Sequence, residues 1–417
     1  MAPTVVAPEA LSYDAARERV LAAVTPLPAE PVGLEAATGR ALRAAVTTPH
    51  DLPPFSNASM DGIVVRSADV ASATRVAPVR LAAGGMVAAG HPATRPLQRH
   101  QFMWIMTGAP LPEEGDAVIP VEDLSGSTPG VSAITLSAAV SAGLNVRRSG
   151  ADLRAGETAL EEGRDLSAHD IGLAAAVGAS ELVVGRLPRV AVISTGDELV
   201  DVDQPLRPGA IRDSNRPMLA ALLRATGVQT LSLAHVGDDP ETTAAALERA
   251  LADADVVITV GGVSAGAHDP VKVAIERIGG IALWRVAMKP GRPQAFGAPR
   301  GRLFFGLPGN PASVACVFEV LVRPALRKLQ GFAVLDRPRI RVRAAHSIES
   351  RPRRTDFVRV TLATGTSGFV ATEAGAQVSG HLTPQSRAHA LLIVPEAAAS
   401  LPAGDEAEAL VLRWPDR

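Results

Sequence analysis

The stretch Gly261–Asp269, GGVSAGAHD, contains residue types that bind anions. Glycines let a backbone come close to a ligand, and successive N–H groups can cradle negative charge. Gly261, Gly262 and Gly266 supply that freedom, and Ser264 offers a hydroxyl. A helix opening at Asp269-Pro270 adds the partial positive charge of its N-terminus. In a plainer reading the glycines make a tight turn and Asp269 caps the helix, with Pro270 in its first turn. No Gly-Lys-Ser/Thr follows, so this is not a Walker A loop. Two other segments carry comparable chemistry. In Ser194-Thr195-Gly196-Asp197-Glu198, paired carboxylates follow a buried strand. Acids beside an anion site repel it unless a cation intervenes, and magnesium bridging carboxylates to phosphate oxygens is the usual resolution. A solvated turn fits these acids equally well. In Gly306-Leu307-Pro308-Gly309-Asn310-Pro311, Asn310 is placed as a cap and Pro311 in the first helical turn. The helix start would leave further amides open to an anion, or would form a simple capped turn.

The cations such a site needs occur in WRVAMKPGRPQAF, as Arg285, Lys289 and Arg292. The Pro-Gly break after Lys289 sits poorly with a solvated strand. Arg353, Arg354 and Arg359 add positive charge nearer the C-terminus, where facing solvent is the commoner fate. The loops around Met60-Asp61-Gly62, Met106-Thr107-Gly108 and Gly150-Ala151-Asp152 read as turns. The histidines show no metal-ligand spacing, and the single cysteine, Cys316, excludes a disulfide framework or thiolate zinc site within one chain.

These segments need elements to position them. From Pro188, RVAVIST reads as a buried strand and TLSLAHV and DVVITV as a second and a third, alternating with helices to about residue 329. Asn215 is expected to cap a helix from about Arg216 to Thr226 stopped by Gly227, and Asp239-Pro240 to open the next. This predicts an α/β domain over 188–330 with a mostly parallel sheet, whose ligands bind at the carboxyl ends of its strands. Residues 331–417 predict a small, β-barrel-like domain built from RIRVRAA, FVRVTLA, ALLIVP and EALVLRW. Residues 12–24 and His169–Val177 read as helices, with Ser12 or Asp14 capping the first. Between them, 49–142 has short alternating runs such as VSAITLSAAV. The economical arrangement is a discontinuous helical domain, 1–48 and 143–187, interrupted by a β-rich domain over 49–142.

A chain of 417 residues is expected to form two to four domains. With 47% hydrophobic residues but only 3% aromatics, its cores must be built from Val, Leu, Ile and Ala. The net charge of −2 creates no general pull toward nucleic acid or membrane, so an anionic ligand requires a local basic cluster. The first residues do not resemble a secretory signal, and no window approaches the ~18 apolar residues of a membrane span, so a cytoplasmic protein is expected.

Taken in order across residues 53–313, the segments PPFSNASMDGIVV, IMTGAPLPEEGDAVIPVED, RRSGADLRAGE, VISTGDELV, IRDSN, TVGGVSAGAHD, MKPGRP and GLPGNPAS form a specific pattern. With VSGHLTPQSRAHALLIVP near the C-terminus, the chain resembles the MoeA family of molybdopterin molybdenumtransferases, related to the E domain of gephyrin. The resemblance implies an elongated homodimer and an α/β domain similar to that of the molybdopterin adenylyltransferases. It implies a magnesium-dependent reaction that inserts molybdate into adenylylated molybdopterin and releases AMP. The adenylyltransferase and molybdoenzyme acceptors become candidate partners. The active site would lie between the α/β and C-terminal domains of one subunit and the inserted domain of the other. Carried over by motif, the catalytic positions are Asp61, Asp152, Glu198, Asp238, Asp269, Lys289 and Arg292. Thr195, Gly196, Gly261, Gly262, Ser264, Gly266, Pro308, Gly309, Asn310, Arg354 and Ser379 would contact substrate, and Asp197, Glu198 and Asp269 would place magnesium. The alternatives are the adenylyltransferase reaction itself and a non-catalytic, gephyrin-like scaffold. Ala58-Ser59 and Ile63 depart from the family pattern, and Arg285 and Arg292 stand where lysines are common, which gives the oxyanion pocket planar forks in place of point charges.

Overall fold

The computed structural model describes residues 10–124, 130–263, 270–365 and 368–415. The chain opens with strand β1 (Leu11–Ser12) and helix α1 (Tyr13–Ala22), whose first turn is capped by Ser12 Oγ accepting from Ala15 N–H at 3.2 Å. Tyr13, Ala16 and Val20 form the buried side of that helix.

The flanking segments expected to be helical mix helices with short strands. Besides α1, the short helix Leu34–Ala37 and α2 (Ala168–Ala176), they hold antiparallel pairs, Ala29–Gly33 with Glu181–Gly185 and Val46–Thr47 with Thr158–Leu160. The chain between those pairs forms a five-stranded sheet, with Gly62–Val65 between Gln101–Ile105 and Ala117–Pro120.

The α/β region follows the sequence expectation closely. Strand β2 (Arg189–Thr195) lies between β3 (Gln229–Val236) and β4 (Val256–Val260), all parallel, and β4 pairs parallel with β5 (Leu303–Leu307). Side-chain alternation places Val190, Val192, Val256 and Ile258 in one core with Leu219 and Leu223 of the helix Asn215–Ala225. Ala191, Ile193 and Val257 enter a second core with Leu247, Leu251 and Val271 of the helices Pro240–Asp253 and Pro270–Ile278. Cover on both faces explains why the inner strands β2, β4 and β5 read as continuous apolar runs. Gly227, at φ +70°, ends the helix Asn215–Ala225 as expected.

Two features depart from simple alternation. Residues Ile281–Lys289 and Pro293–Gly297 form an antiparallel hairpin on the edge of β5, so WRVAMKPGRPQAF is strand, turn and strand. The helix beginning at Pro311 runs through a π-helical turn, Phe318–Val322, before resuming as Arg323–Gln330.

In the C-terminal region, Thr355–Gly365 pairs with Gly368–Glu373 and with Ala390–Val394, and the ring closes through Arg339–Ala344 and Glu406–Val411. The closed ring is the small barrel expected from the strand pattern, with one short helix, Leu382–Arg387, where only strands were expected. The barrel joins the α/β sheet through a parallel pairing of Met288 with Thr355 and Lys289 with Asp356, so one twelve-stranded sheet runs through both. Strand β1 adds to the same segment, opposite Val286 and Ala287.

Candidate active site

The hairpin turn Lys289–Arg292 is fixed by its own glycine. Gly291 has φ +105°, and a Cβ there would lie 2.4 Å from Val317 Cγ2, so no larger residue fits. Gln294, 4% exposed, donates Nε2–H to Gly291 O at 2.7 Å, and Val286 N–H donates to Arg292 O at 2.8 Å. Lys289 and Arg292 therefore leave a rigid turn and enter a cleft of about 640 Å³ between the α/β sheet and the barrel. Pro308, Asn310, Ser313, Ser379, Arg351, Arg353 and Arg354 line the same cleft. The structure thus gathers Lys289, Arg292, Pro308, Asn310, Arg354 and Ser379, which lie far apart in sequence.

Two sequence expectations change here. The amides at the helix start after LPGNP are not open. Ala312 N–H donates to Ser379 O at 3.1 Å, and the N–H groups of Ser313 and Val314 donate to Asn310 O. Asn310 occupies the cap position without a side-chain cap bond. Arg354 is not a free cation, since its guanidinium forms a bidentate pair with Asp356 at 2.5 and 2.9 Å, and Asp356 is 2% exposed. Lys289, Arg292, Arg351 and Arg353 have no ion pair among the described residues.

Arg359, expected to face solvent, is 2% exposed. Its guanidinium donates to Gln377 Oε1 and to the carbonyls of Ala376, Val378 and His381 at 3.2 to 3.3 Å. It is the anchor of the loop that carries Ser379. Burial pushes its pKa down from the usual guanidinium range. The available signal was a charge inside an otherwise apolar run, FVRVTL, where a strand buried on both faces had no place for a solvated side chain.

A second group gathers at the carboxyl ends of β2, β4 and β5. Gly196, at φ +140°, follows Thr195, and a Cβ on it would meet Glu198 Oε2 at 2.4 Å. Asp197 Oδ1 accepts Asp238 N–H at 3.1 Å, while Asp197 N–H donates to Asp238 Oδ2 at 3.4 Å, so the TGDE and GDD turns are mutually tied. Thr195 Oγ1 donates to Val260 O at 3.4 Å. Gly261 N–H donates to Leu307 O at 3.0 Å, and Gly262 continues with φ +69°. A Cβ on Gly309 would lie 3.9 Å from Gly261 Cα, so the second and third strand ends touch. Ser264, Gly266 and Asp269 lie outside the described residues. Among the described residues, no group of three or more His, Cys, Asp or Glu side chains converges on a metal position.

Asn215 does not cap its helix as expected. Asp213, 2% exposed, takes that role, accepting N–H from Asn215 and Arg216 through Oδ1 and the Ser194 hydroxyl through Oδ2. Asn215 instead donates Nδ2–H to Gly309 O at 2.7 Å. The IRDSN segment therefore links the end of β2 to the LPGN turn.

Neither Asp61 nor Asp152 lines the cleft. Asp61 Oδ1 accepts the backbone N–H and the hydroxyl of Thr107 at 2.6 and 2.8 Å. These two donors hold its carboxyl below the usual carboxylate range, the backbone one most strongly. Asp152 N–H donates to Leu52 O at 2.9 Å.

Three family descriptions match successive parts of the chain. They are the MoeA N-terminal region (domain I and II) over residues 11–178, a probable molybdopterin binding domain over 191–328, and the MoeA C-terminal region (domain IV) over 341–412. Molybdopterin molybdenumtransferase 2 of Mycobacterium tuberculosis is 39% identical over 381 residues, covering 90% of this chain and 93% of that protein. The chain belongs to the MoeA family. Another relative, the molybdopterin molybdenumtransferase of Haemophilus influenzae, is 37% identical over 322 residues, 77% of this chain and 78% of its own length. The MoeA likeness extends to solved structures. Two crystal structures of molybdopterin biosynthesis MoeA protein from Pyrococcus horikoshii superpose with TM-scores of 0.84 and 0.80, at 26% and 32% identity, over 97% of this chain and all of theirs. None of the described helices is long and apolar enough to cross a membrane.

Proposed function

We propose that this chain is a molybdopterin molybdenumtransferase of molybdenum cofactor biosynthesis, which inserts molybdate into adenylylated molybdopterin and releases AMP. The observation that carries the reading is the cleft of about 640 Å³ in which Lys289, Arg292, Arg351 and Arg353 stand without ion pairs among the described residues, beside Asn310, Ser313 and Ser379. Such a pocket suits a tetrahedral oxyanion, because charge-assisted hydrogen bonds from unpaired cations are the strong ones. Lys289 supplies a point charge and Arg292 a planar fork. Ser379 and Asn310 orient oxygens that the cations attract. Ser379 is held in register by Arg359 and by its own carbonyl on Ala312.

The pyrophosphate of the substrate is assigned to the strand ends around Thr195, Gly196, Gly261, Gly262 and Gly309, where an open α/β sheet forms its ligand crevice. Asp197 and Glu198, with Asp238 adjacent, are hard oxygen donors of the kind magnesium prefers, and Asp269 is assigned with them on its sequence motif alone. Magnesium commonly uses only one or two protein carboxylates together with waters and substrate phosphates, so this donor set fits it. Bound there, magnesium would polarise the phosphoanhydride. We assign Asp61 and Asp152 to the facing wall of the site, contributed by a second copy in a homodimer, because neither lines the cleft within one chain.

The test is direct. Purified protein given adenylylated molybdopterin, molybdate and magnesium should release AMP and yield cofactor that activates an apo-molybdoenzyme. Rapid adenylylation of molybdopterin from ATP by this chain alone would overturn the assignment.

A further inference from the structure

The loop Arg351–Arg354 brings more positive charge to the cleft than its sequence pattern requires, and it does so on strained backbone. Arg353 has φ +66°, in the left-handed region that glycine enters freely and side-chain-bearing residues rarely occupy. Its N–H donates to Glu396 O at 2.7 Å, a bond that a glycine would make equally well. The conformation therefore gives no reason for an arginine at this position. The reason must lie with the side chain, and strain retained at a ligand-lining position is a pointer to function. Arg353 and Arg351 line the same cleft as Lys289 and Arg292, and neither has an ion pair among the described residues. The adjacent Arg354 shows the alternative fate, a guanidinium locked on buried Asp356 at 2.5 and 2.9 Å. Where the loop needs a structural arginine it has supplied a carboxylate, and for Arg353 and Arg351 it has not.

We propose that Arg353, assisted by Arg351, is a binding residue that captures a tetrahedral oxyanion at the mouth of this cleft. The inference rests on the reading of the cleft as an oxyanion site, and adds Arg353 and Arg351 to Lys289 and Arg292 as cations lining it. Their added positive charge raises the affinity for an anion and steepens its salt dependence.

Calorimetric titration of the full chain with sodium molybdate, and separately with AMP, at low and moderate salt tests this. Arg353→Gly relieves the strained φ, so it should melt at an equal or higher temperature than the parent. It should bind molybdate about fivefold more weakly, the scale of one exposed charge contact, with a flatter salt dependence. Arg353→Lys should retain part of the affinity. Loss of AMP affinity with molybdate binding intact would also support capture, and would make the nucleotide phosphate the captured oxyanion. If Arg353→Gly binds both anions as the parent does while Lys289→Ala weakens molybdate binding, the inference fails and the cleft assignment stands. If Lys289→Ala also changes nothing, or the parent binds no oxyanion, both fail.

Discussion

The basic cleft and the acid-bearing strand ends treat charge in opposite ways. In the cleft, Lys289 and Arg292 stand on a turn braced by Gln294 and Gly291, and their charges have no counter-ions among the described residues. At the strand ends, Asp197 and Asp238 are exposed but tied to each other's backbone N–H groups. The first region presents charge to a ligand at fixed positions. The second uses its carboxylates to hold two turns in register, leaving the remaining lone pairs for whatever binds. On the proposed function, the cleft would set oxyanion affinity and the acid loops the demand for a divalent ion.

Removing Arg359 should have the largest effect. Arg359→Ala strips four acceptors of their buried donor, and should cost about 3 kcal/mol in urea denaturation and abolish molybdate binding through loss of the Ser379 loop. Parent-like stability would mean the loop is held by other contacts. Next, the double change Lys289→Ala with Arg292→Ala should weaken molybdate binding about a hundredfold while shifting stability by less than about 0.5 kcal/mol. A large stability loss with intact binding would reverse the roles assigned to the cleft.

The acid loops should respond differently. Asp197→Asn keeps an oxygen for Asp238 N–H, so with Glu198→Gln it should leave molybdate affinity unchanged and raise the magnesium concentration for half-maximal activity about tenfold. An unchanged magnesium requirement would remove these acids from the metal assignment. Asn215→Ala, which strands the Gly309 carbonyl, should cost about 1 kcal/mol and raise KM more than it lowers kcat.

The smallest effect concerns Asp61. Its carboxyl is held below the usual range by the Thr107 donors, so the stabilisation it brings is complete above the ordinary carboxylate pKa and is lost as pH falls through the depressed one. Thr107→Val, which removes the hydroxyl donor, should move the Asp61 titration, followed by NMR, upward toward the ordinary value of about 4. An unmoved titration would leave the backbone N–H as the sole cause.

The legible parts of the molecule were those written in local pattern. RVAVIST and DVVITV declare buried parallel strands, and Asp239-Pro240 and Gly227 mark helix boundaries by elementary cap chemistry. The motif order carried the family. The rest depends on contacts between residues distant in sequence. Asp61 meets Thr107 across 46 residues, and Asn215 meets Gly309 across 94. No periodicity encodes either contact, nor the pairing of Lys289 with Asp356 that joins the barrel to the sheet. Arg354 and Arg359 show the limit most clearly. Both sit in one short arginine-rich stretch, and only the fold decides that one is locked on a neighbouring aspartate while the other anchors the Ser379 loop from the strand face it shares with Phe357, opposite the barrel core.

The seam at Met288–Thr355 and Lys289–Asp356 also bears on how the chain can be divided. The change from helix to strand near Gly331 invites a cut there, as if the two sides were independent fragments. Such a cut separates the strand that ends at Lys289 from the strand that completes its edge. The N-terminal fragment would expose unpaired backbone donors and acceptors beside Lys289, and an open strand edge invites pairing with other chains. The halves are therefore expected to be soluble when co-expressed, and the larger one to self-associate when made alone.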